Sequence, residues 1–219
     1  MGWEMKIQWF GQSCFVITSD NGTRIVIDPF DKKIGYLLPN LEADIVTTSH
    51  DHSDHNNVSI VRGEFKHLDK PGQYLESGIV ISGISTFHDS KGGNFRGKNI
   101  VFKYTIDDIN VCHCGDLGHK FSTEQLGQIG SVDILLLPIG GLATINASVA
   151  VEVMKQLKPV IAIPMHYRTK ALGLLGYLFS PVEKFLSLST RTTMTIKNLS
   201  LTKDELETYR GIVVLDYRA

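Results

Sequence analysis

Short apolar runs separated by turn residues dominate the first half of the chain. Residues 6–10, 14–18 and 24–28 read as three strands of a meander, with Asp20-Asn21-Gly22 as a hairpin turn. Apolar runs at 43–48, 78–87, 99–106 and 110–113 continue the β-rich pattern, and Asp107-Asp108 turns the chain between the last two. Beyond residue 115 the texture changes to alternating helix and strand. Residues 123–129 and 147–157 predict helices, the second with Asn146 or Ala147 near its cap. Residues 134–137 and 160–164 read as short buried strands, Pro181 opens a helix over 181–187, and 212–216 forms a last strand. Strands first and then strand–helix alternation predict an α/β (α+β) chain: two mixed β-sheets packed together with helices on their outer faces, a four-layer αββα sandwich. The pattern alone leaves the topology open.

The 219 residues fit one domain, 1–219, with no repeat or linker dividing it. Lys plus Arg (22) nearly balance Asp plus Glu (23), so no strong net field favours nucleic acid or an anionic membrane, although local basic patches are not excluded. Residues 1–6 carry no secretory leader pattern, and Asp133, Pro138 and Asn146 interrupt the longest apolar stretches well below the roughly 20 residues of a membrane helix. A cytoplasmic protein without membrane attachment is the expectation. Cys14, Cys112 and Cys114 do not make a disulfide framework, and Cys112-His113-Cys114 lacks the spacing of a thiolate metal motif, so buried strand cysteines are expected.

One segment changes the picture. Ser49-His50-Asp51-His52-Ser53-Asp54-His55 packs three imidazoles and two carboxylates into six positions directly after an apolar run. Neutral imidazoles and carboxylates are ordinary ligands of zinc and its neighbours. In extended backbone positions i and i+2 project the same way, so His50 and His52 can converge on one ion, while Asp54 and His55, past a bend, can face a second. Further ligands must come from elsewhere, and His88, Asp116 and His166 each stand where a strand is expected to end. Among the rest, Asp51 reads as a solvated loop carboxylate, His67 as surface and His113 as a hydrogen-bonded core residue, while His119 is balanced between proton-transfer or supporting work and plain loop.

The order His50-x-His52-x-Asp54-His55, then His88, Gly115-Asp116 and Pro164-Met165-His166 resembles the metallo-β-lactamase-fold hydrolases. It is most similar to their small cytoplasmic zinc-dependent branch, like the sugar-acid phosphate lactonases. The likeness runs from Gly11 and Asp28-Pro29 through Gly115-Asp116-Leu117-Gly118-His119 and Gly140-Gly141 to His166-Tyr167-Arg168-Thr169; residues 170–219 resemble nothing of use. The resemblance implies His50, His52 and His88 on one metal, Asp54, His55 and His166 on the other, and Asp116 bridging both. It also implies that Asp28 orients a ligand imidazole. Antibiotic-hydrolysing relatives often carry Cys or Ser in place of Asp116, which counts against that activity.

Two divalent ions sharing a water lower its pKa from about 15.7 toward about 7. The expected reaction is hydrolysis, a metal-bridging hydroxide attacking a carbonyl or phosphoryl centre while Asp54 orients or deprotonates it. Zinc is the default, with Mn2+ and Fe compatible with the same ligands. The substrate is expected to be a small anion, and the glycine-flanked loop 91–97 offers Asn94 and Arg96 to it. Gly140-Gly141 reads as a tight turn. Neither GxGxxG, GxSxG nor HExxH occurs. Three rivals remain: a nuclease or phosphodiesterase of the same fold, which 219 near-neutral residues disfavour; a diiron redox protein, which in this fold tends to have Glu in place of His52; and a non-catalytic, metal-stabilised protein. Oligomeric state is left open.

Overall fold

A computed structural model describes residues 4–217; residues 1–3, part of the leader reading, lie outside the described residues. The predicted meander forms from β1 (Met5–Gly11), β2 (Cys14–Thr18) and β3 (Arg24–Ile27), all antiparallel neighbours. Its hairpin turn closes where the Gly22 N–H donates to the Ser19 carbonyl, with Gly22 at φ +92. β4 (Leu41–Glu42) pairs only with β6 (Val61–Arg62), while β5 (Ile45–Thr47) and β7 (Lys66–Leu68) extend the sheet parallel to β3.

A second meander follows: β8 (Gly72–Glu76), β9 (Ile79–Phe87), β10 (Lys98–Ile106) and β11 (Ile109–His113). Asp107 and Asp108 hold φ of 51 and 60, the left-handed pair that a two-residue hairpin needs to follow the strand twist. Helix α1 (Thr123–Ile129) is capped reciprocally by Ser122 and Gln125 and leads into β12 (Ile134–Pro138). Helix α2 (Ala147–Leu157), capped by Asn146, leads into β13 (Ile161–Met165), parallel to β12. Next come α3 (Val182–Leu188), with Pro181 at its cap rather than inside its first turn, then β14 (Thr193–Ile196), β15 (Leu199–Leu201) and β16 (Gly211–Leu215).

Two mixed sheets result, ordered β15-β1-β2-β3-β5-β7 and β14-β16-β13-β12-β11-β10-β9-β8. The apolar pattern announces neither the short pair β4 and β6 nor the four edge strands β15, β7, β14 and β8; of the edge strands, β7, β8 and β14 bury little side chain and carry polar residues that discourage further pairing, while β15 is only three residues long. Residues 170–219, without any legible likeness, complete both sheets: β16 inserts between β13 and β14, and β15 pairs with β1.

Trp9, Phe15, Ile17, Ile25 and Ile27 of one sheet share a buried apolar cluster with Ile81, Phe102, Tyr104 and Val111 of the other. Cys14, Val16, Val26 and Val46 point the other way and are covered by Phe30, Tyr36, Leu41, Val61 and Leu172. Both faces of β2 are therefore buried, which explains its unbroken apolar run. The outer layer over the eight-stranded sheet is helical, α1 and α2 contacting β9 and β12 and α3 packing on α2. Over the six-stranded sheet that layer is built from loops and 3-10 turns at 32–34, 58–60 and 170–178 instead of regular α-helix. No single helix among the described residues is long and apolar enough to cross a membrane.

Candidate metal centre

Five strands deliver the chemistry to one rim. β3 ends into Asp28, β5 into the loop carrying His50 to His55, β9 into His88, β11 into Asp116 and β13 into His166. Carboxyl ends of strands from two packed sheets converge there, so residues distant in sequence meet.

They meet in two adjoining groups. His50, His52 and His88 each offer a ligand atom within 4.8 Å of one another, and so do Asp54, His55, Asp116 and His166. Asp116 lies between the groups, its Oδ2 3.1 Å from His88 Nε2 and 3.3 Å from His166 Nε2, its Oδ1 3.3 Å from His55 Nε2. The seven residues proposed from the sequence thus lie together, His50, His52 and His88 in one group and Asp54, His55, Asp116 and His166 in the other. His55, His88, Asp116 and His166 are buried, Asp54 and His50 half-buried, and His52 is exposed at the mouth.

The imidazoles are aimed by their outer nitrogens. Nδ1 of His55 lies 2.8 Å from Asp28 Oδ2, Nδ1 of His50 2.9 Å from the Ser49 hydroxyl, and Nδ1 of His88 3.0 Å from the Ala143 carbonyl. Asp28 is fully buried at φ +47 and also accepts the Ser49 N–H at 2.7 Å and its hydroxyl at 2.6 Å. One carboxylate therefore positions His55 directly and His50 through Ser49, so that each Nε2 faces the centre, that of His50 lying 3.0 Å from His52 Nδ1. Asn99 does the same for Asp116, its Oδ1 accepting the Asp116 N–H at 2.9 Å.

Electrostatics follow from crowding these groups in a dry site. Burial and then the neighbouring His55 push the His50 imidazole down to about 3, and burial and His88 lower His52. Burial opposes charge on His55 as well, but Asp116, Asp54 and Asp28 outweigh it and raise that imidazole well above its ordinary value. Asp116 is held well below the usual carboxylate range because His166 and His55 overcome its desolvation. His55 Nε2, Asp116 Oδ1 and His166 Nδ1 are buried without a hydrogen-bond partner. Leaving such atoms unpaired is costly in a folded protein unless something else binds them. Mixed imidazole and carboxylate donors, with His55 Nε2 and Asp116 Oδ1 unpaired and 3.3 Å apart inside the cluster, fit divalent cations, and nothing in the set requires a thiolate metal.

The remaining sequence-derived candidates fall in definite places. Asn94 spends its side-chain amide on the Lys91 carbonyl at 2.7 Å, whereas Arg96, whose Nη2 donates to the Leu142 carbonyl at 3.3 Å, lines a cavity of about 610 Å³ together with Lys98, His50 and His52. Their loop is a turn closed on Asp89, whose carboxylate accepts the N–H groups of Lys91, Gly93, Phe95 and Arg96. Neither nitrogen of His119 reaches the cluster: Nε2 accepts the Phe87 N–H at 3.1 Å and Nδ1 faces the Lys120 carbonyl, so it braces the backbone just before His88. His113 is buried between the Ser13 carbonyl and the Gly115 N–H. His67 is half-buried against the Thr48 hydroxyl, and Asp51 is exposed and accepts from Asn56. Cys14, Cys112 and Cys114 are free and buried. Gln12 is a site residue that sequence reasoning did not reveal. At φ 48 in the β1–β2 turn, its Nε2 lies 2.7 Å from His166 Nε2 and 3.1 Å from Asp54 Oδ2.

The sequence profile of the beta-lactamase superfamily domain matches residues 6–166, which contain all seven clustered residues. The chain belongs to the metallo-β-lactamase superfamily. Relatives within it include two UPF0173 metal-dependent hydrolases, one from Thermoplasma volcanium, 33% identical over 76% of this chain and 85% of that protein, and one from Thermoplasma acidophilum, 31% identical over 75% and 84%. A crystal structure from Thermotoga maritima, assigned to the zinc-dependent hydrolases of the metallo-β-lactamase superfamily, superposes with a TM-score of 0.82 at 40% identity, covering 98% of this chain and all of that one. The fold is accordingly the metallo-β-lactamase fold, and this superfamily member is a metal-dependent hydrolase by family.

Proposed function

We propose that the chain hydrolyses a small anionic substrate at a dinuclear metal centre, with His50, His52 and His88 holding one ion, Asp54, His55 and His166 the other, and Asp116 shared. The observation that carries this reading is the pair of adjoining ligand groups joined by a fully buried carboxylate whose Oδ1 lacks a hydrogen-bond partner. Two divalent ions bound there would supply an acidified water, its pKa lowered toward about 7, and Lewis-acid polarisation of a carbonyl or phosphoryl oxygen. Asp54, about a quarter exposed, is the carboxylate best placed to orient that water or take its proton. Gln12 keeps Asp54 in place through a hydrogen bond of 3.1 Å. Arg96 and Lys98, on the wall of the cavity beside His50 and His52, suit a phosphate or carboxylate group of the substrate. Asp51 and Asp69 on the same wall disfavour a ligand that is anionic over its whole length, such as a nucleic acid.

Zinc fits the donor set best by default, and three free buried cysteines suit a reducing compartment such as the cytoplasm. Elemental analysis of the purified protein, combined with a panel of lactone, phosphodiester and thioester substrates, tests the proposal. Two equivalents of divalent metal and turnover of at least one class are expected, with Asp116→Asn and His166→Ala lowering metal content and turnover together. Full turnover by a metal-stripped sample would refute it.

A further inference from the structure

Beside the metal centre lies an apolar surface that the hydrolytic reading does not use. The segment 170–178 leaves β13 just past His166 and exposes Leu174 (87%), Leu175, Tyr177 (72%) and Leu178, while the loop 32–40 exposes Leu37 and Leu38. The two pieces form one surface. A methyl group on Gly35 would meet the Ala171 carbonyl at 2.4 Å, the Tyr36 hydroxyl bonds Thr169 at 2.6 Å, and Tyr36 and Leu172 share one buried cluster.

The segment is built to show these side chains. Arg168 turns its guanidinium inward onto the carbonyls of Gly176, Tyr177 and Phe179, and its charge stacks 5.1 Å from the Tyr177 ring. Backbone acceptors that would otherwise need water are satisfied from beneath, so the apolar side chains can project outward. Phe179 closes the segment with its ring 5.3 Å from that of His166.

Charge on this surface is one-sided. Residues 32–41 and 166–182 contain Lys32, Lys33, Arg168 and Lys170 and no Asp or Glu, in a chain whose net charge is −1. Lys32, Lys33 and Lys170 are exposed. Asp31, Glu42 and Glu183 stand just outside these stretches; Asp31 is committed to the Lys33 N–H as a cap and Glu42 to Arg24 at 2.7 Å. Protruding leucines and a tyrosine ringed by lysines have the character of an interfacial anchor, apolar side chains entering the acyl boundary while cations meet headgroups. A symmetric contact with a second copy would set these lysines against their own counterparts.

We infer that the surface formed by residues 32–38 and 170–178 docks the protein onto an anionic phospholipid bilayer. Docking in this way turns the metal centre, next to Phe179, toward the membrane interface. It replaces the sequence expectation of no membrane attachment with reversible surface binding, requires no spanning helix, and stands whether or not the hydrolytic reading holds.

Sedimentation of the full-length protein with vesicles tests the inference. Vesicles of phosphatidylcholine containing phosphatidylglycerol should carry the protein down, vesicles of phosphatidylcholine alone should not, and raising the salt should release it. Lys32→Gln and Lys33→Gln should each weaken binding about fivefold, and Leu174→Ser/Leu178→Ser should abolish it. Leu75→Ser, at an exposed position on the edge strand β8, should leave binding unchanged. A thermal melt establishes that each variant is folded. Failure to bind anionic vesicles, equal binding to neutral ones, or unchanged binding by folded Leu174→Ser/Leu178→Ser overturns the inference. So does a dimer that this double variant dissociates in a protein that ignores vesicles, because the face then belongs to a second copy.

Discussion

Asp28 illustrates how much of the centre rests on one residue that touches no ion in the proposed scheme. Burial pushes its carboxyl up, but His55 and the hydrogen bonds from His55 and Ser49 hold it below the usual range, so it serves as a charged acceptor in a dry site. Asp28→Asn retains the shape and loses the charge. It should weaken metal binding about 10- to 100-fold, read by competition with a chromogenic chelator; an unchanged affinity would remove Asp28 from the positioning role. His55 gives a pH-linked prediction. Its raised value means that the folded, metal-free protein holds this proton more tightly than the unfolded chain. That contribution to stability is fully present below about pH 6.5 and is lost as the pH rises through the folded-state value. Since Nε2 must be deprotonated to bind a cation, metal uptake at neutral pH should release a proton that His55→Asn does not release. Calorimetric titrations in two buffers of different ionisation enthalpy would count it, and equal release by both proteins would contradict the assignment. At this scale the ligands were readable because seven of the nine positions from 50 to 58 carry His, Asp or Asn in one stretch. Gln12, Ser49, Asn99 and the Ala143 carbonyl were not readable, because a lone polar side chain or a backbone group has no sequence signature until folding aims it.

Elements position these groups to different degrees, and substitutions should separate the two cases. Ser122 caps α1, which packs on β9 but supplies no clustered residue. Ser122→Ala should cost about 1 kcal/mol of stability with no loss of bound metal. Gly140 stands where β12 passes into the turn before α2, and a Cβ there would lie 2.1 Å from the His166 carbonyl. Gly140→Ala should therefore lower the melting temperature and metal content together, because the clash must shift either the backbone of His166 or the turn packed against it. If a melt and metal analysis found full metal content in Gly140→Ala, the close approach would not govern the site. Helices α1 and α2 were legible at their ends because caps and 3.6-residue spacing are local signals. The edge strands and the 3-10 turns over the six-stranded sheet were not, since their residues are stabilised by what they pack against.

At the scale of the molecule, the last fifty residues are part of the machinery despite contributing no ligand. β16 fills the gap between β13 and β14, and β13 carries His166 at its end. A chain ending at residue 198 would lose β15 and β16 together, exposing the flank of β13 and one edge of β1. Such a truncation should lose cooperative thermal unfolding by circular dichroism and bind metal poorly; a cooperative melt with full metal content would show that the C-terminal strands are dispensable.

The order of hydrophobic runs, the turn and cap residues and the dense histidine–aspartate loop are local properties, and these the sequence determined by itself: strands before helices, two sheets, and chemistry located at residues 50–55. Which strand lies beside which, that the outer layer over one sheet is loop rather than helix, and that Gln12 reaches Asp54 and His166 were decided only in three dimensions. The physical reason is that pairing, edge formation and the meeting of strand ends depend on contacts between residues far apart in the chain, whose energy exists only once the two sheets close on each other.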